Sequence, residues 1–365
     1  MKVRLRKTEI NNKSIRKKLL KKIESVMIDK KIMMGPRISK TEQKLSNYLN
    51  APYSVLTSSG SDSILMSLMC LNLKAGDEII TTPLSWVTSS TPIMMLNLKP
   101  VFVDIDKNLN IDVKKIENKI TKKTKAILIV HFTGRPCDMK TIINLKKKYK
   151  LYLIEDCSQA FGSKYKDKFC GTFGDFGCFS MNPMKNLSAL GEAGLITLKN
   201  INFYKKLKLL RYAGTKNKEF CYFPSSNFKP DTIQTIFLEN SLKNLKNKIY
   251  KKKLIAKIYK SRLTKKISFQ EESKNYNHSY YSFVIYCQDR DKLIKYLSQK
   301  GIQTKIEHPI LIPNQVAFKK KYKYIKKDFP MANNLVKKIL SIPIREDLKI
   351  TEINFVINSI NKFYD

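Results

Sequence analysis

Histidine, tryptophan and arginine are scarce in this 365-residue chain: three His, one Trp, and nine Arg among 70 basic residues. The histidines, His131, His278 and His308, are too dispersed for a metal-ligand pattern, so no metal is expected. No apolar run reaches the roughly 18 residues of a membrane span, so no membrane partner is expected. Met1-Lys2-Val3-Arg4-Leu5-Arg6-Lys7 is charged but has no apolar region behind it, which argues against a signal peptide. The seven cysteines (Cys70, Cys137, Cys157, Cys170, Cys178, Cys221, Cys287) are odd in number, widely spaced and free of Cys-x-x-Cys. That argues against a disulfide framework or zinc site and predicts reduced, mostly buried thiols of a cytoplasmic protein.

Acidic residues are also few, 30 against 70 basic, for a formal charge of +40. Such an excess raises the idea of a nucleic-acid partner. The lysines are spread along the chain with abundant Asn and Ile, as codons of an AT-rich genome favour, and no nucleic-acid motif accompanies them. Solvated lysine faces are therefore expected, and no nucleic acid. A salt-dependent DNA-binding assay separates the two. The charge can still help to attract an anionic substrate.

What the chain does have is room for two domains and a 42% hydrophobic content. Apolar periodicity predicts helices from Lys13 to Asp29 and from Ser39 to Leu49. Strands and helices then alternate, the pattern of a mostly parallel sheet covered on both faces. The strands are expected at Ser54–Thr57, Glu78–Thr81, Pro100–Asp104, Ala126–Val130, Leu151–Glu155, Phe176–Ser180 and Ala193–Leu198. Helices are expected at Ser61–Leu71, around Val87–Leu96, and at Met139–Tyr149. A lysine-rich helix near Ile233–Leu263 leads to a smaller α+β unit with a strand at Tyr281–Cys287, a helix at Asp289–Lys300, a strand at Ile302–Ile306 and a last helix at Ile350–Phe363. The expected division is a large domain over 1–245, including the N-terminal helical segment, and a small domain over 246–365.

Two residues carry the chemistry. Lys185 stands in Ser180-Met181-Asn182-Pro183-Met184-Lys185, shortly before Gly191-Glu192-Ala193-Gly194. Asp156 closes the apolar run Leu151-Tyr152-Leu153-Ile154 in Glu155-Asp156-Cys157-Ser158-Gln159-Ala160. A lysine that can form a Schiff base and an aspartate that can pair with a pyridinium nitrogen are the two protein groups that pyridoxal 5'-phosphate (PLP) chemistry needs. An acid at the carboxyl end of a parallel strand is placed where such sheets bind ligands, and is costly to bury unpaired. A structural ion pair is the alternative for Asp156; Glu155 reads as structural. Thr57-Ser58-Ser59-Gly60-Ser61 leaves a strand and opens a helix, which suits a phosphate cradle and equally a Ser-rich helix cap. Trp86 has a flat face that fits either a flat cofactor or a core.

These motifs, with Gly76-Asp77-Glu78-Ile79-Ile80, Pro100-Val101-Phe102-Val103-Asp104, Thr124-Lys125-Ala126-Ile127 and Gly301-Ile302, stand in the order of the DegT/DnrJ/EryC1/StrS family of PLP-dependent sugar aminotransferases, which the chain resembles from about Gly35 onward. The resemblance implies an α/β fold of the PLP-dependent transferase fold type I (aspartate-aminotransferase-like). It implies PLP on Lys185, ring nitrogen on Asp156, phosphate on Gly60 and Ser61 with Ser59 and Ser180 alongside, and Trp86 on the ring. Gln159 would stand near the phenolic oxygen, Asn227 would reach the PLP phosphate of the other subunit of a homodimer, and His308 would lie near substrate. For Asn227 a simple polar loop, and for His308 an ordinary surface histidine, remain alternatives. Lysine at 185 distinguishes the chain from the family's dehydratases, which carry histidine there. Ala193 replaces a family glycine, and Ser-Met-Asn-Pro-Met-Lys resembles the branch that includes the aminotransferase making 8-amino-3,8-dideoxy-octulosonate. The implied function is transfer of an amino group, from glutamate, to a keto or aldehyde sugar for surface polysaccharide. A non-catalytic PLP-binding regulator of the same fold is the alternative.

Overall fold

The computed structural model describes residues 2–28, 32–217 and 219–365. Its centre is a seven-stranded sheet of β1 (Tyr53–Thr57), β2 (Glu78–Thr81), β3 (Lys99–Phe102), β4 (Thr124–Val130), β5 (Tyr152–Asp156), β6 (Phe176–Ser180) and β7 (Gly194–Leu198). The spatial order is β1-β7-β6-β5-β4-β2-β3. The pairs from β6 through β5, β4 and β2 to β3 are parallel; β7 runs antiparallel to both neighbours. The α/β, mostly parallel sheet expected from the sequence is therefore present.

Near-continuous apolar strands follow from burial on both faces. Side chains alternate, so Ala126, Leu128 and Val130 join Ile64, Leu68 and Leu207 on one side. Ile127 and Ile129 meet Met139, Ile142 and Leu145 of helix Met139–Lys148 on the other. A buried ion pair ties this domain's edge together. Arg211 Nη1 reaches Glu42 Oε1 at 2.5 Å and Leu56 O at 3.1 Å, and Glu42 Oε1 also accepts from Leu56 N at 2.8 Å.

Helix Gln234–Arg262 spans two cores. Its Leu238, Leu245 and Ile249 pack with Leu56, Phe179 and Leu195 of the large sheet. Its Ile255, Ala256 and Tyr259 pack with Phe283, Ile285, Leu340 and Val356 of the C-terminal unit. That unit is a three-stranded antiparallel sheet (Ser268–Phe269, Phe283–Tyr286, Ile339–Ile342) backed by helices Arg290–Gln299 and Ile350–Tyr364. Val3 belongs to the same core, fixed by a parallel bridge to Ile302 and by Val3 N to Gly301 O at 2.8 Å.

Some local expectations need correction. Ile302–Ile306 is not a strand: it makes only single bridges, Ile302 to Val3 and Lys305 to Ser341, because its partners are single residues of other segments. The helix expected over Val87–Leu96 is a 3-10 turn (Val87–Ser89) and a short helix (Thr91–Met95), interrupted at Ser90, whose ψ of −23° accompanies a φ of −127°. The first helix runs Lys13–Ile28; Asp29, its expected end, lies outside the described residues. A helix at Ile201–Arg211, capped by Asn200, was not anticipated.

Candidate active site

The carboxyl ends of β5 and β6 and the start of helix Gly60–Cys70 enclose a cleft of about 400 Å³. Register explains why they meet. Gly194 pairs with Thr57 on one side and Ser180 on the other. Any Cβ on Gly194 would stand 2.1 Å from Ser59 O, and any Cβ on Gly60 would stand 2.6 Å from Ser180 Cβ. Both positions therefore need glycine, and Ser180 is held against the helix start. Ala193, the departure noted in the sequence, is buried and does not disturb this contact.

Ser59 is the helix N-cap: its Oγ accepts from Asp62 N at 3.1 Å. Gly60 and Ser61 follow at the positive end of the helix, where amide N–H groups have no intrahelical partner. Asp156, 3% exposed, accepts from Ser89 Oγ at 2.7 Å and from Ser158 N at 3.0 Å. No cation pairs with it among the described residues. Glu155 is different: its oxygens accept from the amides of Gly171, Phe173 and Gly174 at 2.7–2.8 Å and face His131 Nε2 at 3.1 Å. It is a structural carboxylate.

Lys185 is half-buried, with Nζ 4.7 Å from the centroid of the Tyr281 ring. No carboxylate pairs with it among the described residues. Gln159 Oε1 accepts from Thr133 N at 2.6 Å, which leaves the Gln159 amide NH2 to donate elsewhere. Trp86 is 59% exposed, so it is not a core tryptophan; its ring lies 5.9 Å from that of His308. His308 has φ 54° and an Nε2 that is buried without a partner among the described residues. Burial pushes its pKa down to about 4, with Lys305, Lys185 and Arg6 acting the same way against Glu307.

Nine of the ten residues singled out in the sequence line this one cleft: Ser59, Gly60, Ser61, Trp86, Asp156, Gln159, Ser180, Lys185 and His308. Asn227 does not. It is exposed, bridged to Tyr212, and accepts from Lys229 N at 3.3 Å. Sequence reasoning missed Ser89, Tyr281, Lys305 and, behind the wall, Arg6. Arg6 hydrogen-bonds Tyr281 Oη and stacks 4.1 Å from its ring centroid. Burial raises the Tyr281 phenol, but Lys185 and Arg6 outweigh it and hold its pKa below the usual tyrosine value. Ser89 adjoins a motif already noticed; no sequence signal points from Arg6 to a site 275 residues away.

The buried trio His131, Glu155 and Cys157 has ligand atoms within 4.8 Å of one another. Two of the three are engaged: Glu155 accepts the three amides above, and His131 Nδ1 accepts from Cys137 N at 3.0 Å, which places the ring proton on Nε2, facing Glu155. The cleft, by contrast, fits PLP. It offers a phosphate cradle tight enough to demand glycine and, among the described residues, a buried carboxylate lacking a cation and an amine lacking an anion.

The model of the DegT/DnrJ/EryC1/StrS aminotransferase family matches residues 13–361. GDP-perosamine synthase of Escherichia coli O157:H7 is 31% identical over 336 residues, 90% of this chain and 91% of that protein. The 3-oxo-glucose-6-phosphate:glutamate aminotransferase of Bacillus subtilis is 32% identical over 304 residues, 80% of this chain and 68% of that protein. The solved structure of NtdA from Bacillus subtilis, with bound cofactor PMP, is 29% identical, covers 96% of this chain and 82% of its own, and superposes with a TM-score of 0.88. Motif order, sheet topology and the cleft thus agree over nearly the whole chain: the protein belongs to the DegT/DnrJ/EryC1/StrS aminotransferase family and is a PLP-dependent enzyme of fold type I.

Proposed function

We propose that this enzyme transfers an amino group from glutamate to a keto or aldehyde sugar destined for a surface polysaccharide. The observation that carries the reading is the presence, in one cleft, of a lysine without an anion and a buried carboxylate without a cation among the described residues. The two relatives above, one a perosamine synthase and the other a glutamate-dependent aminotransferase of an oxo-sugar phosphate, support the substrate class and the donor.

Bound PLP supplies the Schiff-base carbonyl and an electron sink. The amides of Gly60 and Ser61, with the Ser180 hydroxyl, hold the phosphate. Asp156, oriented by Ser89 and Ser158, keeps the ring nitrogen protonated. Trp86 would cover the ring, and the Gln159 amide NH2, not used by the Thr133 contact, would donate to the phenolic oxygen. With PLP bound, Lys185 Nζ would take the proton from the donor's Cα and, as general acid, deliver it to C4′.

The working form is a cytoplasmic homodimer with shared sites. Trp86 (59%) and Met184 (51%) line the cleft yet are exposed in the single chain, and Asn227 is exposed and does not line its own cleft. These features fit a partner subunit that covers one and receives the other. All seven cysteines are free and six are buried, as reduced thiols would be. No helix among the described residues is long and apolar enough to cross a membrane.

Purified protein should be yellow, and borohydride should fix the cofactor to Lys185. An adduct mapped to any other lysine refutes the assignment. Candidate keto sugars are then screened with glutamate for amino-sugar formation.

A further inference from the structure

The cleft carries one cation that the cofactor contacts leave unused. Lys305 lines it, with its side chain 45% exposed. Behind Lys305 lies Glu307, whose side chain is 1% exposed. Glu307 accepts from Ser282 Oγ at 2.7 Å and faces two cations, Lys305 Nζ at 3.1 Å and Arg6 Nη2 at 3.4 Å. Burial pushes the Glu307 pKa up, but Arg6 and Lys305 outweigh it and hold it below the usual glutamate value, so the group is an anion at neutral pH. Two cations on one carboxylate leave one positive charge over. Arg6 is spent inward, on Tyr281 Oη, Ser282 Oγ and Glu307. The charge that faces the cleft is that of Lys305.

Beside it, His308 lines the cleft, and its buried Nε2 has no partner among the described residues. With a pKa pushed down to about 4 by burial, the imidazole is neutral at pH 7 and adds a hydrogen-bonding group without adding charge. The carboxylates that line the cleft are elsewhere engaged: Glu192 accepts from Asn182 Nδ2, and Asp156 from Ser89 and Ser158.

We propose, building on the aminotransferase reading, that Lys305 and His308 receive the anionic group of a reactant, and that Arg6 is a positioning residue that shares Glu307 and so leaves the Lys305 charge available. The ligand chemistry is a carboxylate or phosphate. It comes either from the donor's carboxylate or from an anionic substituent of the sugar.

The test is an absorbance titration of holoenzyme with glutarate, which has no amino group to transfer, and separately with inorganic phosphate, at matched ionic strength. Lys305→Met raises the Kd of at least one probe about tenfold, the scale of one lost charge-assisted hydrogen bond. Lys305→Arg restores it to within about threefold. Arg6→Met weakens the same probe and Arg6→Lys restores it, while PLP loading is unchanged in all four; a merely structural Arg6 would change loading and probe affinity together. Single-turnover rates then separate the sources. A loss confined to glutamate conversion assigns the site to the donor. A loss confined to phosphorylated or carboxylated keto sugars assigns it to the acceptor. Unchanged Kd for both probes in Lys305→Met, in protein that still loads PLP and converts glutamate, overturns the inference and leaves the aminotransferase reading standing. Wild-type enzyme that converts no amino donor overturns that reading instead, while the titration still decides the anion site.

Discussion

Asp156→Asn separates catalysis from stability. Asparagine has the same shape, so its Oδ1 can still accept from Ser158 N, now at 3.0 Å. Its Nδ2 would donate to Ser89 Oγ, 2.7 Å from the present Oδ2, once the Ser89 hydroxyl turns towards Ser85 Oγ, also at 2.7 Å. No hydrogen bond need be lost. What disappears is a charge, 3% exposed and without a cation in the single chain. In apo protein the desolvation of that charge is offset by the two hydrogen bonds it accepts, so its removal changes stability by no more than about 1 kcal/mol. The corresponding shift in Tm is at most about 2–4 degrees for a domain of this size. In holoenzyme the charge is needed: a neutral amide cannot keep the pyridine nitrogen protonated, and turnover falls by about 10³-fold, the scale of a lost electrostatic stabiliser. Calorimetry of the apo forms and steady-state kinetics of the holo forms read the two effects. An apo variant destabilised by several kcal/mol, or a holo variant with near-normal turnover, would refute the reasoning.

Gly60→Ala forces a Cβ to within 2.6 Å of Ser180 Cβ, against about 3.5–4.0 Å for ordinary carbon contact. The cradle must shift, with an overpacking cost of about 1–3 kcal/mol and PLP affinity down about tenfold or more by fluorescence titration; wild-type affinity would contradict the close approach. Asn227→Ala weakens PLP binding by about one to two decades if the amide serves the partner's phosphate. Mixed dimers of Asn227→Ala and Lys185→Ala then contain one intact site and recover part of the activity; mixed dimers without recovery place Asn227 outside the partner's site. His308 has a pKa lowered to about 4 from 6.5, so the unfolded chain binds more protons between these values. Stability is complete above pH 6.5 and is lost as pH falls towards 4, by no more than about 3 kcal/mol from this group. His308→Gln should flatten that limb in urea titrations at pH 4.5 and 7; an unchanged slope would show the histidine is not protected.

The single chain already spelled out much of this site. Asp156, Gly60 and Lys185 were legible because each sits where a local pattern changes: an apolar strand ends in an acid, a strand becomes a helix through small residues, a lysine follows a serine at the end of another strand. Strands buried on both faces read directly as apolar runs, so the order of the sheet's elements was legible too. Short-range periodicity cannot see pairing between distant segments. Ile302–Ile306 looks like a strand but finds only single bridging residues, one of them Val3. Arg6 looks like one more charge in a basic terminus, yet that bridge carries it to Tyr281 and Glu307, where its charge is spent in the wall of the cleft. Lys305 was one lysine among many until Glu307 and Arg6 stood behind it. Local sequence thus pointed to the residues proposed to hold the cofactor, because they stand at the ends of continuous elements that meet in one cleft. Only the tertiary structure decided which of the many cations faces the cleft, because charge balance is set by neighbours hundreds of residues apart.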